Sequence, residues 1–196
     1  MQTATLEGGF ANAPIDAAHA FRQIMTAMAQ PGVINNVKCA KPPAHLSIAA
    51  GVVLLTLCDP DTPVYLTPQF DTSEIRSWIT FHTGALIVDA NAASFAVGAW
   101  GDLPLTDFAI GTAEYPDRSA TIVVEVPSLT TEGATLRGPG IKHKASLSLP
   151  DVSTFQKNAA LFPLGLDFVF TCENSVAALP RTTKVTAPTT SATKVS

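Results

Sequence analysis

The stretch ATIVVEV at residues 120–126 is the strongest strand signal in the chain and determines the expected fold. Its β-branched, mostly apolar residues are typical of a β-strand, and Pro127 ends it. Residues 133–137 are predicted to form its hairpin partner. Further strands are predicted at residues 167–172 (DFVFTC) and, shorter, at residues 64–66 and 85–89.

Four helices are predicted around these strands. The apolar residues of the first, at 16–30, recur at helical spacing on one face and are Phe21, Ile24, Met25 and Met28. An almost wholly apolar segment at residues 44–57 is predicted to be a buried helix, with a pair of strands as the alternative. The third begins with a capping-box pattern at residue 71 and closes at Gly84, and the fourth spans residues 151–161.

Because strands and helices alternate, the fold class is α/β. Hairpin-like neighbours favour a mixed sheet flanked by helices over a purely parallel one. One domain is expected over residues 1–183. Residues 184–196 are rich in Thr, Ser and Ala and have little to bury, so they are predicted to be a disordered tail.

Charged residues are scarce, because the 12 Lys+Arg and 16 Asp+Glu make up 14% of the 196 residues, against roughly 25% in ordinary globular proteins. Interface cores are depleted of charge, so one interpretation of the shortage is that part of the surface does not face water. A surface coated with Thr, Ser and Ala is the alternative. The net charge of −4 argues against nucleic-acid binding. The longest apolar stretch, residues 46–58, is too short for the roughly 20 residues that span a membrane.

The three cysteines, Cys39, Cys58 and Cys172, lie in or beside apolar stretches and form no CxxC motif. They are expected to be buried, reduced thiols, which points to a cytoplasmic protein. No metal site is predicted, because no histidine has metal-ligand spacing to another histidine or to a cysteine. The sequence also lacks a P-loop and the GxGxxG, GxSxG and HExxH motifs, so a free-standing hydrolase or transferase is not expected.

The most informative polar stretch is RGPGIKHK at residues 137–144, which combines three cations, one histidine and no acid. A turn with Gly138 and Gly140 can present backbone N–H groups to an anion, and Arg137 can grip a phosphate or phosphonate with two hydrogen bonds. The alternative is a plain Gly-Pro-Gly turn with solvated lysines.

Three further polar stretches carry candidate residues. Residues 114–119 contain Arg118, either a ligand contact or half of a local ion pair with Asp117. Residues 58–63 contain Asp59, which serves as a base, as a cation ligand or as part of an Asx turn. Residues 179–184 contain Arg181, which suits a contact surface as well as a binding site.

These stretches also carry a family resemblance. The chain resembles the PhnH family, the H subunits of the bacterial carbon–phosphorus lyase core complex. The matching segments run in the family's order from about residue 9 to residue 183. They are AFRQIMTAMAQPG (20–32), LTLCDPDTP (55–63), FHTGA (81–85), GTAEYPDRSAT (111–121), RGPGI (137–141), FPLGLDFVF (162–170) and ALPRTT (178–183).

The resemblance implies a fold like that of PLP-dependent transferases, without the cofactor. It also implies a homodimer that joins the G, I and J subunits in a larger complex. With the G, I and L proteins, such a subunit supports transfer of the ribose triphosphate of ATP to a phosphonate, with release of adenine. The family supplies no catalytic residues for this subunit. The positions in its recurrent motifs are Asp59, His82, Arg118, Arg137, Gly138, Pro139, Gly140 and Arg181.

Two functions therefore compete. One is an accessory subunit without its own active site, in keeping with the missing catalytic motifs. The other is a binding or catalytic site for nucleotide or phosphonate at a homodimer cleft. Its ligand-binding candidates are Arg118, Arg137, Gly138, Gly140, His82 and Arg181.

Overall fold

A six-stranded mixed sheet forms the centre of the protein in a computed structural model that describes residues 7–188. Its strand order is β1-β8-β7-β4-β3-β2, and a second sheet has the order β6-β5-β9. The helices are α1 (Ala13–Ala29), α2 (Ile48–Leu57), α3 (Ser73–Thr83) and α4 (Val152–Ala160). The strands are β1 (Asn35–Asn36), β2 (Val64–Leu66), β3 (Phe95–Ala99), β4 (Thr121–Glu125), β5 (Ala134–Arg137), β6 (Ala145–Leu147), β7 (Asp167–Cys172), β8 (Ser175–Leu179) and β9 (Lys184–Thr186).

Four strands of the central sheet run parallel, namely β2, β3, β4 and β7. A tight turn then reverses the chain, so β8 pairs with β7 antiparallel, and β1 pairs antiparallel with β8. The strand signal at residues 120–126 thus lies in the interior of the sheet, between β3 and β7. The predicted α/β class and mixed sheet are confirmed.

Both faces of β4 are buried, and they face different cores. Ile122 and Val124 pack on one side, Val123 on the other, as the period of two in a strand requires. The first core lies under α1, α2 and α3. The second lies under α4 and the small sheet, where Phe155, Phe168 and Phe170 meet at ring-centroid distances of 5.0–6.4 Å. The molecule therefore has three layers.

The local helix signals are largely confirmed. The apolar segment is a helix, α2, but it begins at Ile48 because the Ser47 hydroxyl accepts the Ala50 N–H. In α3 the cap is Thr72, one residue after the predicted acid, and Gly84 closes the helix with φ +74°.

The face of α1 differs from the prediction. Ile24 is buried as expected, but Phe21 and Met25 are 48% and 44% exposed. The small residues Ala20 and Ala27 take their place, because they let α1 lie close to α2 and β8.

Two strand predictions were wrong. Residues 85–89 form a single bridge at Ile87 beside β2, and the strand in that part of the chain is β3. Residues 134–137 do form a strand, β5, but it pairs with β6 and β9 in the second sheet and not with β4.

The disordered tail was predicted to begin at residue 184, which is too early. Its first three residues form β9, because Val185 is apolar and buries itself in the second core. Residues 189–196 of that prediction lie outside the described residues. Cys39 is exposed, contrary to expectation, whereas Cys58 is buried, and burial raises the pKa of its thiol to about 12. No helix among residues 7–188 has the length and apolar character to cross a membrane.

Candidate functional site

Four of the family-like motifs share one location, the amino edge of the parallel strands. Residues 58–63 precede β2, residues 111–119 precede β4, and residues 161–166 precede β7. The chain after β8, at residues 180–183, reaches the same edge because β8 runs antiparallel to β7. Ligands of open α/β sheets usually bind at the opposite, carboxyl edge.

Arg181 is the centre of this edge. Its Nη2 lies 2.5 Å from Oδ2 of Asp167, and its Nε donates to Oδ1 of the same carboxylate at 3.2 Å. Its Nη1 donates to the carbonyls of Pro116 at 2.8 Å and Pro163 at 3.4 Å. A further hydrogen bond joins Nη2 to the Ser119 hydroxyl. One guanidinium thus ties together the segments that lead into β4 and β7.

These contacts occupy the whole guanidinium, which has five N–H donors. The side chain of Arg181 is 11% exposed and that of Asp167 is 23% exposed. An incoming phosphate would have to displace a carboxylate that already neutralises the arginine. The geometry therefore gives Arg181 a structural role at this edge.

Arg118 has a different environment. It ends a short 3-10 helix, Pro116–Arg118, and its guanidinium carbon lies 4.1 Å from the centroid of the Tyr115 ring. Both side chains are exposed. This cation–π contact orients Arg118 on the surface and leaves its N–H donors open to solvent.

The turn that follows β5 packs against the end of α1. Gly138 and Gly140 have φ of +146° and +78°, and the Ile141 N–H closes the turn on the Gly138 carbonyl at 3.2 Å. A Cβ on Gly140 would lie 1.7 Å from the carbonyl oxygen of Ala29. Only glycine fits there, so the turn is held in place by the helix. Arg137 itself is exposed.

His82 lies apart from these residues. It projects from α3, in the layer on the other face of the central sheet, and its ring packs on Trp78 at 5.1 Å and Phe81 at 5.0 Å. A Cβ on Gly9 would meet the ring at 2.5 Å. His82 therefore supports the N-terminal segment. The strand on its side of the sheet is β2, which lies about 14 Å from β7.

Asp59 forms the Asx turn that was one of its alternatives. Its Oδ1 accepts the Asp61 N–H at 2.9 Å and the Thr62 hydroxyl at 3.0 Å. Within residues 7–188, no group of three or more His, Cys, Asp or Glu side chains is placed to hold a metal ion.

Two adjoining cavities open at the amino edge. The larger, of about 420 Å³, has walls from the end of α1, the 3-10 helix and the loop before β7. The smaller, of about 270 Å³, is lined by Pro139, Ala159, Phe162, Arg181, Thr182 and Lys184. Phe162, Arg181 and Thr182 belong to both. Together they provide space in the range of small-molecule sites.

Sequence reasoning missed Lys184 and Asp167. Lys184 fell in the segment expected to be disordered, although the polar–apolar–polar order of KVT is typical of a short strand. The strand prediction over residues 167–172 gives Asp167 no further role, because no local signal pairs it with Arg181.

Glu125 at the opposite edge of the sheet was also missed. Its half-buried carboxylate accepts the Ser47 N–H at 2.7 Å, just before the start of α2. Burial raises the pKa of Glu125, which outweighs the hydrogen bonds from Ser47 and Thr171 that lower it. The residue therefore anchors α2 to the sheet and resists ionisation.

The Glu125→Gln variant is expected to be more stable than the wild type at neutral pH. A glutamate whose pKa is raised on folding loses stability as pH rises through that pKa, whereas Gln keeps an oxygen for the Ser47 N–H and cannot ionise. Urea unfolding should show the advantage of Gln growing as the pH rises above the ordinary glutamate pKa of about 4.

Glu74 provides a control in which the pKa shift has the opposite direction. Its pKa is lowered, chiefly by its own backbone N–H and also by Ser73 and Thr72 in the first turn of α3. Glu74→Gln should lose stability at neutral pH and match the wild type below the lowered pKa. If the stabilities of Glu125→Gln and Glu74→Gln responded equally to pH, the opposite pKa shifts assigned to the two glutamates would be contradicted.

These features define a class, namely a three-layer α/β domain whose polar motifs build one sheet edge with a basic turn at its corner. The family model described as bacterial phosphonate metabolism protein (PhnH) matches residues 8–186. The chain belongs to the PhnH family.

Two curated relatives cover nearly the whole chain. One, 45% identical over 94% of this chain and 97% of its own length, is the "Alpha-D-ribose 1-methylphosphonate 5-triphosphate synthase subunit PhnH" of Rhizobium meliloti (strain 1021). The other, from Stutzerimonas stutzeri, is 30% identical over 91% of this chain and 95% of its own length. It is named "Putative C-P lyase subunit protein HtxG". Both relatives are named as subunits.

Proposed function

We propose that the chain is an accessory subunit of the enzyme that transfers the ribose triphosphate of ATP to an alkylphosphonate and releases adenine. In this role it has no complete active site of its own. It acts in the cytoplasm as a homodimer, with the G, I and J subunits in the core complex and with the G, I and L proteins in the transfer reaction. The full-length similarity to a synthase subunit supports this assignment.

The bonding of Arg181 is the structural observation that carries the proposal. A catalytic arginine keeps donors for the substrate, whereas Arg181 gives all of its donors to the protein. Asp59 and His82 are likewise engaged in a turn and in packing. These three motif residues thus serve the architecture of the chain.

The surface supports a role within a complex. Successive turns of α1 expose Phe21 and Met25, and the loop before β7 exposes Leu161 at 47%. Large exposed apolar side chains are typical of partner contacts. In this proposal, the low content of charged residues also reflects surface that contacts partners.

Co-purification tests the assembly. A tagged copy of the chain, expressed with the rest of its system, is expected to recover other subunits at a fixed stoichiometry in 0.5 M salt, roughly the ionic strength at which surface charge attraction is largely screened. Recovery of the chain alone, as a stable monomer, would contradict the proposal.

No PLP is expected in this chain. A Schiff-base lysine is usually desolvated in a pocket, which keeps its amine neutral and nucleophilic. Every lysine within residues 7–188 is exposed to solvent, which supports the proposal. The relation of the fold to PLP-dependent transferases remains part of the same proposal.

Ligand binding is the second candidate function. It is favoured by one observation, the exposed Arg137 beside a cavity that Pro139 and Lys184 line. Among the candidate residues, Arg118 and Arg137 keep donors open to solvent, whereas Arg181 does not. This candidate is compatible with a chain that performs no chemistry alone.

A further inference from the structure

Four cations crowd one corner of the molecule, which we call the basic corner. It consists of Arg137, Lys142, Lys144 and Lys184, all of them exposed. The ion pairs formed within the described residues are Arg76–Asp71 and Arg181–Asp167, so none of the four is neutralised by a carboxylate. This local excess of positive charge runs against the net charge of −4.

Two of these cations face each other directly. In the antiparallel pairing of β5 with β9, Arg137 stands opposite Lys184. Residues opposite each other on one face have Cβ atoms about 5 Å apart, where like charges destabilise the sheet. The inward neighbours Leu136 and Val185 are buried, so the pair is on the solvent face. Such unfavourable local contacts are expected at functional sites. An anion bound between the two cations removes their repulsion.

The turn beside the pair adds backbone donors. Gly138 and Gly140 hold left-handed conformations, and the packing of Gly140 on Ala29 fixes the turn. Pro139 between them has no N–H, so the donors that this turn can offer to an anion are the backbone N–H groups of Gly138 and Gly140. The turn is therefore prearranged and needs no ordering when a ligand arrives.

The cavity next to the pair is largely apolar. Lys184, Arg181 and Thr182 supply its polar lining, while Pro139, Ala159 and Phe162 supply its apolar lining. Phe162 is 59% exposed, so its ring is open to a planar group. Cations next to an exposed aromatic ring suit a ligand that is anionic at one end and apolar at the other.

We infer that Arg137 and Lys184 bind the triphosphate chain of a nucleoside triphosphate, whose base lies against Phe162. A triphosphate spans several anionic oxygens and engages two adjacent cations together, which a single phosphonate does less well. The inference rests on the second proposed function, ligand binding, and does not require the chain to catalyse a step.

Isothermal calorimetry on the full chain tests the site with ATP, inorganic tripolyphosphate and adenosine. Arg137→Ala and Lys184→Ala are each expected to weaken ATP and tripolyphosphate binding about tenfold. Phe162→Ala should weaken ATP binding and leave tripolyphosphate binding unchanged. Arg22→Ala and Lys38→Ala remove exposed cations elsewhere and serve as matched controls with wild-type affinity. Thermal unfolding of each variant establishes that it is folded.

The inference is overturned if the wild type binds neither ATP nor tripolyphosphate, or if the controls weaken binding as much as the Arg137 and Lys184 variants do. It is also overturned if the two variants bind ATP normally but lose other subunits on co-purification, because the basic corner is then a protein-docking surface. The accessory role is judged separately, by turnover in the assembled complex. Loss of nucleotide binding with turnover retained would sustain that role and reject a function for the site.

Discussion

Replacing Arg181 with alanine is expected to lower the free energy of unfolding by about 3 kcal/mol. The substitution leaves the carboxylate of Asp167 without its counter-charge and removes the donors that hold the carbonyls of Pro116 and Pro163. These groups lie at the entrances to β4 and β7, the two strands at the middle of the sheet. Urea denaturation at neutral pH measures the loss directly.

The Arg76–Asp71 pair provides the matched control. It has a similar two-bond geometry, but its side chains are 49% and 30% exposed, so water screens the charges. Arg76→Ala should cost much less stability than Arg181→Ala. Equal costs for the two arginine variants would show that Arg181 is not the centre of the amino edge.

The Gly140→Ala variant is expected to lose about 3 kcal/mol or more, because two unfavourable effects combine. The backbone at this residue is left-handed, with φ +78°. The new Cβ would also lie 1.7 Å from the carbonyl oxygen of Ala29, which is backbone and cannot rotate away. The turn must therefore leave the end of α1, and thermal denaturation should show a large fall in Tm.

Gly101→Ala is the control for this change. Nothing lies within 4 Å of a Cβ built on Gly101, so its stability should stay within about 0.5 kcal/mol of the wild type. If Gly140→Ala were equally mild, the turn would not be anchored on α1, and the prearranged basic corner would lose its support.

Local signals predicted much of the fold. β4 and β7 are rich in β-branched and aromatic residues, and α3 carries both a polar cap and a closing glycine, so each was recognisable alone. β3 was not, because Ala96, Gly98 and Ala99 have weak strand preference and the segment owes its form to pairing between β2 and β4. One partner of β5 was likewise non-local, since β9 follows it by more than 40 residues.

The candidate site was predicted as a set of residues and not as an arrangement. The glycine turn and Arg137 were found from composition, because cations without acids are visible in sequence. The role of Arg181 was not, because its partners lie 14, 62 and 65 residues away along the chain. Only the folded sheet edge distinguishes an arginine bound to protein from one that is free to bind a ligand.

The central claim is that this chain supports the transfer reaction without performing it. Its most direct test is adenine release from ATP in the presence of methylphosphonate, measured for the purified chain and for the chain combined with the G, I and L proteins. We expect no turnover by the chain alone and turnover in the combination that disappears when the chain is omitted. Adenine release by the isolated chain, or unchanged release without it, would contradict the claim.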